Sequence, residues 1–112
     1  MISLQLIKYI KQGVKSFYNI YQYNLQSITI TATNRCNSRC KMCEIWKKKN
    51  KKDIPIKAIE NILNHTNKKI YLNLSGGEFI LHPKYKDILY LVNKKRRRFT
   101  LFSNGILKER LI

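Results

Sequence analysis

The segment Thr29-Ile30-Thr31-Ala32-Thr33-Asn34-Arg35-Cys36-Asn37-Ser38-Arg39-Cys40-Lys41-Met42-Cys43 runs from a β-branched alternation into a loop that holds all three cysteines of the chain. The spacing C-x3-C-x2-C, from Cys36 through Cys40 to Cys43, lets one short loop bring three sulfurs together. Soft thiolates favour iron–sulfur clusters or zinc. The usual electron-transfer site uses four cysteines. Three thiolates hold three irons of a cubic [4Fe–4S] cluster and leave the fourth iron an open position, where chemistry on a bound molecule can take place. Upstream, Gln26 to Thr33 predicts a strand, because Ile28 and Ile30 alternate with Thr29 and Thr31.

Two later stretches follow the loop. Lys69 to Leu74 predicts a second strand, with Ile70, Leu72 and Leu74 alternating with Tyr71 and Asn73, and it runs into Ser75-Gly76-Gly77-Glu78. Adjacent glycines let a backbone approach a ligand closely and take positive φ. An acceptor carbonyl or carboxylate at that turn suits an ammonium group. Phe99 to Phe102 predicts a third strand, with Ser103-Asn104-Gly105 as its exit turn.

In order and separation, the cysteine loop, Leu74-Ser75-Gly76-Gly77-Glu78 and Ser103-Asn104-Gly105 resemble the motifs of the radical S-adenosylmethionine (radical SAM) enzymes. One position departs from that pattern: the residue before the last cysteine is usually aromatic in the family, and here it is Met42. The resemblance implies an α/β fold, a partial (β/α) TIM-like barrel made of the first three βα units of a radical SAM core, preceded by an N-terminal amphipathic helix. It implies that Cys36, Cys40 and Cys43 ligate a [4Fe–4S] cluster. Gly76, Gly77 and Glu78 would contact S-adenosyl-L-methionine, the turn receiving its amino group. Met42 would give the adenine a soft apolar contact, and Ser103 and Asn104 would make polar contacts on the cofactor side.

The implied chemistry is one-electron cleavage of the sulfonium to a 5′-deoxyadenosyl radical that abstracts hydrogen from a substrate. It would draw on an electron donor such as a flavodoxin or ferredoxin. Enzymes of this kind handle peptides, RNA bases and small precursors, and no stretch of the chain selects among them. Barrel active sites lie in the loops after the strands, and a complete barrel takes about 200 residues or more. The chain has 112 residues. The expectation is therefore a helical extension over 1–24 and a partial core over 25–112, truncated and weakly active or inactive alone.

The remaining elements fit that order. Ser3 to Tyr21 predicts an amphipathic helix, with Ile7, Ile10, Val14, Phe17 and Tyr21 on one side. Ile54 to Thr66 predicts the first barrel helix, with Asp53 as N-cap, Pro55 early in the helix and an apolar face of Ile56, Ile59, Ile62 and Leu63. His65, near its end, suits a helix C-terminus. Trp46, the single tryptophan, suits either shielding a cluster from water or filling the core. His82-Pro83 predicts the start of the next helix, with Tyr85, Ile88, Leu89 and Val92 inward and His82 structural. Lys94-Lys95-Arg96-Arg97-Arg98 predicts a solvated turn or a partner surface at the end away from the cysteines, and Ile106 to Ile112 the start of a third helix.

Charge is the other strong feature. Lys and Arg number 23 against 6 acids, giving a net charge of +17, and the sequence pI is about 10.1. Such a balance suits nucleic acid, and the competing reading is a small basic nucleic-acid-binding module with a zinc or structural metal site. That reading lacks a fourth ligand at zinc-like spacing, with only His65 and His82 to serve. Abundant Lys, Asn, Ile and Tyr favour a general compositional bias over a nucleic-acid site. An odd cysteine count clustered in one loop is not a disulfide framework. It implies a reducing, cytoplasmic setting. No apolar run reaches the roughly 18 residues of a membrane span, and no secretory leader is evident.

Overall fold

The computed structural model describes residues 25–110. The predicted N-terminal helix over 3–21 lies outside the described residues. Three strands, β1 (Ser27–Thr31), β2 (Tyr71–Ser75) and β3 (Phe99–Leu101), alternate with two helices, α1 (Ile56–His65) and α2 (Tyr85–Lys94). The strands form one parallel sheet in the order β1-β2-β3. This is a small α/β unit whose strand order follows the chain, with helices between parallel strands.

Strand alternation decides which side is buried. Ile30, Leu72 and Leu74 point into a core completed by Ile59 and Leu63 of α1, Ile88 and Val92 of α2, and Phe79 and Ile80 between β2 and α2. Ile28, Ile56, Ile62, Leu89, Phe99 and Leu101 pack around it. The predicted apolar faces of both helices are the faces that the structure buries. The other face of the sheet is polar: register aligns Thr29 with Asn73 and Asn73 with Thr100, and Tyr71 Oη lies 2.9 Å from Thr100 Oγ1. Closed barrels fill the corresponding face with branched aliphatics.

Several local expectations are corrected. α1 begins at Ile56, with Pro55 as N-cap and no side-chain cap; Asp53 turns to another task, described below. Pro55 has no N–H to leave unsatisfied and an extended ψ, which suits the approach to a helix. After β2 the chain makes a single 3-10 turn, Phe79–Leu81, before α2 starts at Tyr85 behind Lys84. His82 is structural. Its Nε2–H donates to the Ile54 carbonyl (2.9 Å) and its Nδ1 accepts from the Lys84 N–H (3.0 Å), which fixes the tautomer and joins the approaches to the two helices. Beyond β3 the described chain forms only a 3-10 turn, Lys108–Arg110.

The basic run is not uniformly solvated. Arg96 takes positive φ (52°) to turn the chain out of α2, and Arg97 folds inward, 5% exposed. Its guanidinium donates to the carbonyls of Leu63, Thr66 and Ile70 and to Thr66 Oγ1. Those oxygens close the C-terminal end of α1 and lead into β2. A helix leaves its last four carbonyls without partners; Arg97 answers that of Leu63 and, beyond the helix, those of Thr66 and Ile70. The sequence gives no local sign of which of five consecutive cations does so.

Candidate cofactor site

The site stands at the carboxyl ends of the strands, where the cysteine loop leaves β1, the Gly76-Gly77-Glu78 turn leaves β2 and Ser103-Asn104-Gly105 leaves β3. The β1 register continues past the strand, with the Ala32 N–H donating to the Ser75 carbonyl (2.8 Å). Gly77 N–H then donates to the Thr33 carbonyl (2.8 Å) and Glu78 N–H to the Arg35 carbonyl (2.7 Å). The start of the cysteine loop and the glycine turn are thus backbone neighbours.

This contact gives the glycines a different reason from the one expected. Neither takes positive φ; among the described glycines only Gly105 does (73°). A Cβ on Gly77 would lie 2.3 Å from the Arg35 carbonyl oxygen and 2.9 Å from the Cys36 Cβ, and one on Gly76 would lie 2.7 Å from the Thr33 carbonyl oxygen. The absent side chains let one loop's backbone lie against the other's.

Glu78 is buried (1% exposed), with Oε2 accepting from the Asn104 N–H at 2.6 Å and Oε1 from the Ile80 N–H at 3.4 Å. Asn104 in turn donates both amide protons to the cysteine loop, to Asn37 Oδ1 (2.7 Å) and Ser38 Oγ (2.8 Å). Its Oδ1 accepts from the Ile106 N–H (3.1 Å), and Ser103 Oγ accepts from the Gly105 N–H (3.1 Å). A continuous hydrogen-bonded path therefore joins all three motifs. The roles of Asn37 and Ser38 are missed by sequence reasoning, although their position between the first two cysteines was a signal.

The cysteines are free thiols, Cys36 half-buried and Cys40 and Cys43 exposed. Cys43 N–H donates to the Cys40 carbonyl (3.2 Å), making a tight turn between them. Among the described residues, no group of three or more His, Cys, Asp or Glu side chains converges closely enough to hold a metal ion. The donor chemistry nonetheless fits a cluster: three soft thiols lie in one loop, with no disulfide and no fourth cysteine. Met42 projects almost fully into solvent. Trp46 does not join the core. Its Nε1–H donates to the Cys40 carbonyl (3.2 Å), and its ring lies between Arg39 (5.8 Å) and Lys47 (5.5 Å), within cation–π range. Cys36, Asn37, Arg39, Trp46 and Lys47 line a cavity of about 420 Å³.

Asp53 closes the far end of the loop. The hydrogen bonds from Arg35 hold its carboxyl below the usual carboxylate range, Thr33 adds to the effect and burial opposes it; Arg35 is raised in return by its hydrogen bond to Asp53. The unfolded chain therefore takes up this proton before the folded one does. The pair's stabilisation is complete above the ordinary value of about 3.9 and is lost as pH falls through the lowered folded value. Asp53→Asn is expected to lack this acid-side loss. Melts of both forms from about pH 6 down to about pH 2.5 check it: the two should differ at the upper end and converge at the lower.

A family model described as the radical SAM superfamily matches residues 30–112. The chain belongs to the radical SAM superfamily. The match spans the cysteine loop and both later motifs of this radical SAM chain. Comparison with curated proteins and with solved structures found no match. Among the described residues, no helix is long and apolar enough to cross a membrane.

Proposed function

We propose that residues 25–112 form part of a radical SAM core, weakly active or inactive alone, in which Cys36, Cys40 and Cys43 hold a [4Fe–4S] cluster and the Gly76-Gly77-Glu78 turn receives the amino group of S-adenosylmethionine. The observation that carries this reading is the hydrogen-bonded path from Asn37 and Ser38 through Asn104 to Glu78 and on to Arg35. It draws three sequence-distant motifs into one site beside the thiols. When bound, the cluster and S-adenosylmethionine supply one-electron chemistry that ends in hydrogen abstraction from a substrate.

The chain's own residues bind and orient. Gly76, Gly77 and Glu78 make the contacts to the ammonium group; the Glu78 carboxylate, fixed by the Ile80 and Asn104 N–H groups, keeps acceptor capacity beyond those two bonds. Met42 offers its thioether to the adenine, Ser103 and Asn104 border the cofactor side, and Trp46 anchors the loop at the Cys40 carbonyl. The partners are a low-potential electron donor and a substrate from among peptides, RNA and small precursors.

Anaerobic reconstitution with iron and sulfide, followed by electron paramagnetic resonance of the reduced protein with and without S-adenosylmethionine, tests the proposal. A [4Fe–4S] signal that shifts on addition of S-adenosylmethionine is the expected result. A signal that ignores it would refute the S-adenosylmethionine half. Zinc taken up in place of iron would favour the basic nucleic-acid-binding module.

Cys40→Ala is expected to lower iron per chain at least about tenfold, since even outer-shell partners of metal ligands are worth 10–100-fold. The metal-free melt should move little, because Cys40 is exposed and exposed substitutions usually stay within about 0.5 kcal/mol. Iron analysis and a thermal melt of the same preparation check both halves.

A further inference from the structure

Arg35 immediately precedes the first cysteine, and Asp53 follows Lys52, the last residue of the lysine-rich stretch 47–52. Their side chains meet across the base of the loop. Arg35 Nε lies 3.0 Å from Asp53 Oδ1 and 3.1 Å from Oδ2, and Nη2 lies 3.0 Å from Oδ2. Thr33, 2% exposed, donates its hydroxyl to Asp53 Oδ1 (2.6 Å) while the same oxygen accepts the Arg35 N–H (3.1 Å). Thr33 and Asp53 also form an isolated antiparallel bridge. One residue further out, Asn34 repeats the closure: its N–H donates to the Lys52 carbonyl (3.1 Å), its Oδ1 accepts the Lys52 N–H (2.7 Å) and its amide donates to the Asn50 carbonyl (2.9 Å).

We propose that the Arg35–Asp53 pair is a clasp that closes the cysteine loop and holds Cys36 against the Gly76-Gly77 turn, making both residues positioning residues for the cluster. The inference rests on the cluster reading given above. Arg35 is gripped at two places: its side chain by the far end of the loop, and its carbonyl by the Glu78 N–H (2.7 Å). Releasing the guanidinium leaves the loop's return held by Thr33 and Asn34 alone, with the three thiols and the glycine turn chemically intact. A fork of two parallel charge-assisted hydrogen bonds fixes direction as well as distance, which a lysine ammonium cannot reproduce. Nearer the tip, Asn104 holds Asn37 and Ser38 and Trp46 holds the Cys40 carbonyl, while Cys40 and Cys43 themselves are exposed. Closing the base therefore removes much of the loop's freedom before the thiols gather.

The test compares the full chain with Asp53→Asn, Arg35→Ala and Arg35→Lys. Iron release from the reconstituted proteins to a ferrous chelator is followed in time. In parallel, tryptic cleavage between Lys47 and Lys52 of the metal-free proteins is followed by mass spectrometry. Asp53→Asn and Arg35→Ala are expected to release iron about tenfold faster and to be cut faster, because cluster binding is coupled to ordering of the loop. Arg35→Lys should fall between them and the parent, whereas Arg97→Ala, which loosens the other end of the sheet, should release iron at the parent's rate, a separation that general destabilisation would not give. Release rates within twofold of the parent for all three variants would overturn the clasp. If the parent takes up no iron and sulfide, the cluster reading itself fails, and equal tryptic cleavage of parent and variants then overturns the clasp as well. If Asp53→Asn does not fold, Arg35→Lys carries the same comparison.

Discussion

Gly77→Ala is expected to be the most damaging single-methyl change at the site. The new Cβ would meet the Arg35 carbonyl oxygen at 2.3 Å, the Arg35 carbonyl carbon at 2.9 Å and the Cys36 Cβ at 2.9 Å. The first two are main-chain atoms that no rotamer change can move. The backbones must part, and the Glu78 N–H bond to the Arg35 carbonyl is lost with them. Overpacking costs about 1–3 kcal/mol, and the lost hydrogen bond adds about 1 kcal/mol. In a small domain that corresponds to a melting temperature lower by more than about 10 °C. Because the displaced atoms belong to Arg35 and Cys36, iron retention should fall with stability. Gly76→Ala meets Thr33 alone, its carbonyl oxygen at 2.7 Å, its nitrogen at 3.2 Å and its Cγ2 at 3.3 Å, and should rank second. Gly105→Ala meets nothing within 4 Å and bears only the strain of its positive φ, about 1 kcal/mol. Thermal melts and iron content of the three variants check the order. A Gly77→Ala protein as stable as Gly105→Ala would refute the backbone-contact explanation.

The same contact explains how much of the site was legible in the sequence. The cysteine spacing, the alternation in β1 and β2 and the apolar faces of α1 and α2 are local patterns, and local patterns are what a linear reading resolves. The order of the three motifs was legible for the same reason. The tasks of Asp53, Glu78, Asn104 and Arg97 were not, because each is defined by a partner more than fifteen residues away. Asp53 illustrates the competition. As a helix N-cap it satisfied a local rule, yet the chain supplied Arg35 and Thr33 as stronger, tertiary partners. A signal was present: with only 6 acids against 23 basic residues, an acid at a loop boundary has many cations competing for it. The glycine turn was read for positive φ and for close approach to a ligand, whereas the approach it makes is to the backbone of the cysteine loop, which becomes visible only once β1 and β2 are paired.

Arg97→Ala is expected to give the largest loss of stability at the other end of the sheet, with the thiol chemistry left alone. Arg97 Nη1 lies 3.2 Å from the Leu63 carbonyl, 3.4 Å from the Thr66 carbonyl and 3.1 Å from Thr66 Oγ1, and Nη2 lies 3.3 Å from the Ile70 carbonyl. A cation at the C-terminal end of α1 also meets the favourable end of the helix dipole. Two features oppose it. Burial lowers its pKa from the ordinary value, and Nε is buried without a partner. Arginine nevertheless stays charged at neutral pH, so truncation strands several carbonyls that no water readily reaches. Each neutral carbonyl left buried without its donor costs about 1–3 kcal/mol. Because the unsatisfied Nε goes with the side chain, a net loss of about 3 kcal/mol is expected. Arg97→Lys keeps the charge but not the planar fork, and should recover only part. Denaturant melts should show the midpoint falling in the order Arg, Lys, Ala with an unchanged slope. Below the melt, reconstituted Arg97→Ala should give the parent's resonance signal, because the cysteine loop leaves the opposite ends of the strands. A lysine variant as stable as the parent would mean that charge alone, and not the fork across α1 and the entry to β2, holds this end of the sheet.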